Sequence, residues 1–388
     1  MSSTLYGITS LIVPSYAQES NLSSSNTDLP TFMGVTMRGS HTSEKETQVS
    51  DTIAPSNYYD ESFRLIHDAG MNHVRYLFYW ESYVKNPSQF MEELTMVAET
   101  ADKWGLKVLY DNHQWHTSSW LESRATGFPS FLFEGNPELE MESGGNTNDE
   151  AARIWWTDWW DRSVKDTGGN DGWSLLSEFL TNLANAVDSH PSTLGYEILS
   201  EPQIHSDDQW EKVGQFNTFM VNELRKVTQK TIAFSQQVPA SINAPDIDVI
   251  PENQAKMVPA NKNNVVFKIS LYGVSTDSFQ EARLDGLVEA AQLADVPIYV
   301  GEWNNVVRER EGGVFRISPE ESDLSQEETN LFLQDFKRIG VWGWAFWQWN
   351  YKDHDVPNFN LILVSEDGTI QPTEYYERLK TAISEVYA

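Results

Sequence analysis

The sequence predicts an α/β fold, a single (β/α)8 TIM barrel with long loops after its strands. Three observations carry that expectation. Apolar strand-like runs alternate with amphipathic helical stretches from Thr31 onward, the pattern of a parallel sheet with crossover helices. Eight such units follow one another without an internal linker or repeat, and 388 residues suit one barrel with insertions. Two apolar runs, Gly195–Pro202 and Val296–Asn304, each lead into a glutamate, Glu201 and Glu302. Pro202 has no N–H to extend a ladder, so Glu201 is expected at the carboxyl end of a strand, the edge where barrels carry their chemistry.

Taken in order, Phe32–Met37 is the first strand, followed by a polar loop to about Ser56. Helical spacing runs from Tyr58 to Ala69, with Gly70 as C-cap. Asn72–Tyr79 is strand two and carries Arg75, and Ser88–Trp104 is an amphipathic helix ending at Gly105. Lys107–Asp111 is strand three, running into Asn112, His113, Gln114, Trp115 and His116. Residues 116–170 form a long segment of Gly, Pro, Asn and acidic residues, interrupted by a tryptophan cluster from 154 to 160. Loops of that length inside a compact domain commonly serve as lids or binding walls. Gly172–Ser189 is helical, Thr193–Pro202 is strand four, Trp210–Gln229 is a helix and Lys230–Ser235 is strand five. A Pro/Asn-rich connector spans Pro239–Asn264. Val265–Tyr272 is strand six, Phe279–Ala294 a helix, Pro297–Trp303 strand seven, and Val306–Leu324 a charged loop. Gln326–Ile339 is helical up to Gly340, Val341–Asn350 is strand eight, and Tyr375–Val386 closes the chain as a helix.

Composition narrows the ligand. The net charge of −30 argues against nucleic acid and anionic membrane as partners and suits a neutral substrate. No apolar run approaches the length of a membrane span. Fifteen tryptophans fill cores, but their flat faces also stack on sugar rings, which tilts the reading toward carbohydrate. The absence of cysteine excludes disulfides and thiolate metal sites and says nothing of compartment. Leu5–Val13 is a short apolar stretch, and Ser15 and Ala17 match the spacing of a secretory cleavage site, although no Lys or Arg precedes it. Residues 1–30 are therefore expected to be a signal-like segment and polar leader of a secreted protein, with the catalytic barrel in 31–388.

Two glutamates on parallel strand ends can face each other across one cleft, the geometry that glycoside hydrolysis requires. Arg75, His113, Tyr272 and Trp347 would end strands two, three, six and eight and line the same rim. The matching pieces are His-Val-Arg ending at 75, Tyr-Asp-Asn-His at 113, Ser-Glu-Pro at 202, Leu-Tyr-Gly at 273, Gly-Glu-Trp at 303 and Ala-Phe-Trp at 347. Together they resemble glycoside hydrolase family 5, the cellulase and mannanase family, over nearly all of the chain from Thr31. The resemblance implies Glu201 as general acid/base and Glu302 as nucleophile of a retaining mechanism. It further implies that Arg75 keeps Glu302 ionised, that Tyr272 donates to the same carboxylate, that His113 bonds a sugar hydroxyl and that Trp347 forms a stacking floor. Two positions depart from the family. Ser200 stands where an asparagine usually contacts the sugar 2-hydroxyl, and Ser270 where a histidine usually precedes the tyrosine. A serine hydroxyl can still donate or accept, so Ser200 is kept as a substrate contact.

The implied activity is retaining endo-hydrolysis of a β-1,4-glucan, with β-mannan as competitor and a non-catalytic sugar-binding barrel as the reading from another class. A monomer acting on polysaccharide or oligosaccharide without cofactor is expected. His113 and His116 form no further ligand cluster, so no metal is expected either. Asp166–Asp171 reads as a polar turn rather than a calcium loop, and Glu134–Glu142 as a solvated loop. Trp155, Trp156, Trp159 and Trp160 recur at spacings of one and four, which makes a buried stripe on a helix. Trp115 and Trp303, beside the catalytic candidates, are expected to contact sugar.

Overall fold

In the computed structural model, eight parallel strands close into a barrel, each paired with its neighbours in chain order. The structure describes residues 30–39, 55–122, 125–134, 149–235, 249–272, 278–306, 308–311, 314–317, 322, 324–350, 359–365 and 367–388. The expected leader, residues 1–30, lies outside these but for its last position. The barrel strands are β1 (Phe32–Arg38), β2 (His73–Phe78), β3 (Lys107–Asn112), β4 (Thr193–Glu197), β5 (Thr231–Ser235), β6 (Val265–Tyr272), β7 (Ile298–Asn304) and, after a hairpin of β8 (Arg308–Glu311) and β9 (Val314–Ile317), β10 (Gly343–Phe346). The outer layer includes α1 (Pro55–Asp68), α2 (Trp80–Lys85), α3 (Pro87–Trp104), α4 (Asp149–Trp160), α5 (Gly172–Val187), α6 (Gln209–Leu224), α7 (Pro251–Ala255), α8 (Ser278–Ala294), α9 (Gln326–Ile339) and α10 (Glu374–Tyr387). Among the described residues, no helix is long and apolar enough to cross a membrane.

Local chemistry sets the boundaries. Asn86 caps α3 by accepting from the Gln89 N–H, Pro87 fills the first helical position, and Gly105 ends the helix at φ 69°. Ser325 and Glu328 cap α9 reciprocally, and Gly340 ends it in the left-handed region. Two strands are shorter than expected. The fourth stops at Glu197 and the eighth at Phe346, because past those points the chain turns to place side chains instead of continuing a ladder. The segment expected to be a charged loop contains the β8–β9 hairpin. Its sequence signal is the Gly312-Gly313 pair between two short runs.

The core divides at the sheet. A large cluster fills the space between strands and helices, and a small one, Leu109, Ala233, Val266, Tyr299 and Ala345, plugs the barrel. One pleat further toward the carboxyl end, the same inward faces carry charge: Asp111 follows Leu109, and Lys268 follows Val266. Strand β7 departs from simple alternation. From Val300 it takes two residues to reach Glu302, opposite a single step from Ile269 to Ser270 on β6. On its other side, three residues to Trp303 lie opposite two steps on β10. Both neighbours thus locate one extra residue after Val300, a β-bulge.

His73, at the start of β2 and one pleat before Arg75, is fully buried, with Nε2 2.7 Å from the Tyr299 hydroxyl and Nδ1 3.1 Å from the Lys107 carbonyl. Burial, with Arg75 nearby, lowers its pKa from 6.5 to about 3, although the Lys107 carbonyl opposes the shift. Between those values the unfolded chain binds a proton that the folded chain does not. Stability from this residue therefore falls as pH drops through that window, by up to about 1.4 kcal/mol per pH unit. His73→Asn is expected to flatten the acid side of the stability profile measured by urea unfolding from pH 7 to 4. An unchanged slope would show that other groups govern it.

Candidate active site

The charged layer is built around Arg75, in the middle of β2 and wholly buried. Its Nε donates to Glu197 Oε2 at 2.8 Å and its Nη1 to Glu302 Oε1 at 2.9 Å. Its Nη2 lies 2.9 Å from Asp111 Oδ2 and 3.1 Å from Ser200 Oγ. Lys268, from β6, is a second buried cation: Nζ donates to Glu302 Oε1 at 2.9 Å, to Ser270 Oγ at 2.9 Å and to Ser200 Oγ at 3.2 Å. The bulge makes room for it. A methyl on Gly301 would fall 2.7 Å from the lysine stem.

Glu302 is therefore held by three donors, with Tyr272 giving its hydroxyl to Oε2 at 2.5 Å. Burial alone would raise this carboxyl. The Lys268 and Arg75 charges, His113 and the tyrosine hydroxyl overcome burial and hold it well below the usual carboxylate range. Glu197, equally buried, goes the other way: burial and the Asp111 charge raise it against the pull of Arg75 and Lys268.

Glu201 lies four residues beyond the end of β4, not on it. Its backbone takes a left-handed φ of 46°, a region sparsely populated by residues with a side chain. Two contacts hold it there. The Glu201 N–H donates to Ser235 Oγ at 3.1 Å, and its carbonyl accepts from Gln114 Nε2 at 2.6 Å. The carboxyl is partly exposed, 23%, while Oε1 is enclosed without a hydrogen-bond donor and lies 4.0 Å from Lys268 Nζ. Since Glu302 Oε1 is 2.9 Å from the same nitrogen, the two carboxyl oxygens are at most about 7 Å apart. That bound admits the ~5–5.5 Å of retaining glycosidases and excludes most of the ~6.5–9.5 Å range of inverting ones.

The tryptophan stripe on α4 is buried as expected, and it also holds the site loops. Trp156 Nε1 donates to Thr117 Oγ1 at 2.8 Å, in the loop after β3, and Trp160 Nε1 to the Gln203 carbonyl at 2.7 Å, two residues past Glu201. Buried Glu81 gathers the β3 loop from below, accepting from the Ser119 N–H at 2.9 Å and the Gly127 N–H at 3.1 Å. The Asp166–Asp171 turn is closed by its own bonds, Asp166 accepting from the Asn170 N–H at 2.7 Å and Asp171 pairing with Arg162 at 2.7 Å.

Of the rim residues, His113 follows β3 directly, and its Nδ1 is 2.9 Å from Asp111 Oδ2. Its ring lies 5.7 Å from that of half-buried Trp347, at an interplanar angle of 24°. Trp115 is 47% exposed on the β3 loop. Three expectations need correcting. Trp303 is wholly buried against Phe332, Phe336 and Phe346, because the bulge turns it to the helix layer, so it cannot reach a sugar. Ser200 is also wholly buried, its hydroxyl spent on Arg75 and Lys268 beneath the site. Arg75 likewise meets carboxylates and a serine rather than open cleft.

Three functional positions escaped the sequence reading: Asp111, Glu197 and Lys268. Each is a charge at an inward-facing position of an apolar strand, a pattern visible in the sequence and costly unless paired.

A closed parallel barrel whose carboxyl-terminal side brings two carboxyls this close, one of them ionised by buried cations, defines a glycoside hydrolase of the retaining type. The sequence matches the family described as "Cellulase (glycosyl hydrolase family 5)" over residues 33–353. The chain belongs to that family. Among solved structures it is similar to an endogalactoceramidase, at 16% identity over 91% of this chain and 80% of that one, TM-score 0.65. It is also similar to endo-glycoceramidase II from Rhodococcus sp., at 16% identity over 90% and 78%, TM-score 0.60. XacCel5A matches at 14% identity over 91% and 98%, TM-score 0.54. These likenesses are of fold. No curated protein matches the chain by sequence.

Proposed function

We propose that this protein is a retaining endo-glycosidase of neutral β-1,4-glucan, with Glu302 as nucleophile and Glu201 as general acid/base. The observation that carries the assignment is the contrast between the two carboxyls. Glu302 accepts from two cations and a phenol, whereas Glu201 keeps one enclosed oxygen with no donor. In the first step a Glu302 oxygen bonds to the anomeric carbon. The glycosidic bond breaks with its electron pair going to the leaving oxygen, which takes the Glu201 proton. In the second step water attacks the same carbon and gives its proton to Glu201, and the ester electron pair returns to Glu302.

The net charge of −30 favours a neutral polymer, and the half-buried Trp347 and exposed Trp115 offer aromatic faces along an edge. A polymeric substrate requires an extracellular enzyme, which agrees with the secretory reading of the amino terminus. β-Mannan is the competing polymer. A glycolipid is the second reading, supported by the shared fold with endo-glycoceramidase II, one structure of which is a ganglioside GM3 complex.

Carboxymethyl-cellulose, barley β-glucan, mannan and a glycosylceramide, each followed by release of reducing sugar, separate these readings. Release from the two glucans is expected. Release from mannan or from the lipid alone would replace the substrate. Binding without release from any would replace hydrolysis by a sugar-binding role.

A further inference from the structure

Of the two buried cations in the barrel, only one touches both reacting carboxyls. Arg75 is tied to Asp111, Glu197 and Glu302, and makes no ion pair with Glu201. Lys268 Nζ is 2.9 Å from Glu302 Oε1 and 4.0 Å from Glu201 Oε1, the oxygen that is enclosed and lacks a hydrogen-bond donor. No other cation of the described residues lies within that distance of Glu201. The ammonium is located by two hydroxyls, Ser270 and Ser200, that belong to neither carboxyl, and by the space left at Gly301.

We infer that Lys268 is a positioning residue that serves as counterion to Glu302 in the free enzyme and to Glu201 in the covalent intermediate. The inference rests on the glycosidase reading above. When Glu302 becomes an ester it loses its negative charge, and Glu201, having given its proton to the leaving oxygen, gains one. The negative charge has then moved from one side of the ammonium to the other. The cation need not travel, because it already stands between them. Opposite charges about 4 Å apart attract by several times the thermal energy at the effective dielectric of a protein site. The other titratable groups around the ammonium do not duplicate this. Glu197 Oε1 also lies 3.8 Å from the ammonium, but Glu197 holds its Arg75 hydrogen bond at 2.8 Å and takes no part in the transfer of charge between Glu302 and Glu201. Arg75 stays paired with Asp111 and Glu197, His113 is taken up by Asp111, Tyr272 donates to Glu302, and Tyr299 bonds His73 below.

The test compares Glu302→Gln with Glu302→Gln/Lys268→Met in full-length protein carrying 13Cδ-labelled glutamate. Glutamine is uncharged, like the ester of the intermediate, so the single variant holds the charge state in which Lys268 should serve Glu201. The double variant removes one buried charge of each sign and so keeps the wild-type balance. Lys268→Gln in the same background takes its place if the methionine variant does not fold. The Glu201 resonance, assigned by its loss in Glu201→Gln, is titrated by NMR. Proton affinity at Glu201 should rise at least tenfold, one pH unit, when the ammonium is removed. Coincident titrations would overturn the inference and leave Lys268 as packing under Glu302. Because the titration needs no turnover, its failure is distinct from a failure of wild type to hydrolyse the glycan panel.

Discussion

Glu302→Ala should abolish hydrolysis, lowering kcat/KM by about four orders of magnitude or more, because it removes the carboxylate that forms the glycosyl ester. Glu201→Ala should differ in kind. On a polymer it should cost about 10²–10⁴-fold, the usual worth of a general acid. On a 2,4-dinitrophenyl β-cellobioside, whose leaving group needs no proton, formation of the intermediate should stay near wild type while its hydrolysis slows. Added azide, an anion that needs no base, should then restore turnover and yield a glycosyl azide of β configuration. The contrast follows from geometry: Glu302 is ionised and clamped by three donors, and Glu201 is reached by none through Oε1. An α-configured product, or equal losses for both variants on both substrates, would sink the assignment.

Arg75→Met should be the most damaging change to folding within the site. The guanidinium is wholly buried against Asp111, Glu197 and Glu302, and removing it leaves Glu197 and Glu302 with Lys268 as their cation and Asp111 with His113. Breaking a buried pair from one side typically costs about 3–5 kcal/mol. The sign of the pH dependence can be worked out. Without Arg75 the folded-state carboxyl pKa values rise above those of the wild type, so the variant binds more protons when folded and its deficit relative to wild type grows as pH rises through the new values. Urea unfolding at pH 8 and pH 5 should therefore show the larger deficit at pH 8. A deficit that is the same at both would mean that the cost is one of packing rather than charge.

Much of the fold was legible because a parallel barrel repeats one simple signal. Strand six and the helix before Gly340 have the expected boundaries, since Val265–Tyr272 is a continuous apolar-rich run and Ser325 and Gly340 close the helix chemically. The pairing of Glu201 with Glu302 was legible for the same reason. Strand four was not, because Ile198, Leu199 and Ser200 are as buried as a strand while the backbone has already turned. Lys268 was overlooked because a lone lysine among Phe267, Ile269 and Leu271 makes sense only when its partners, 34 and 68 residues away in sequence, are seen. The two serines were read as losses from a family pattern. They are instead two of the ammonium's three hydrogen-bond acceptors, a relation between strands that no local run of sequence contains.

The bulge in β7 acts on the strand as a frameshift acts on a message. A strand is read two residues at a time, one inward and one outward, and the extra residue after Val300 moves everything beyond it by one place. Read in the original frame, Gly301 and Trp303 face the barrel and Glu302 faces the helices. In the shifted frame the carboxylate turns inward and the indole outward. Were the bulge flattened with Gly301 kept in the strand, the first frame would return, and Trp303 would face the barrel in place of the carboxylate without any residue being altered.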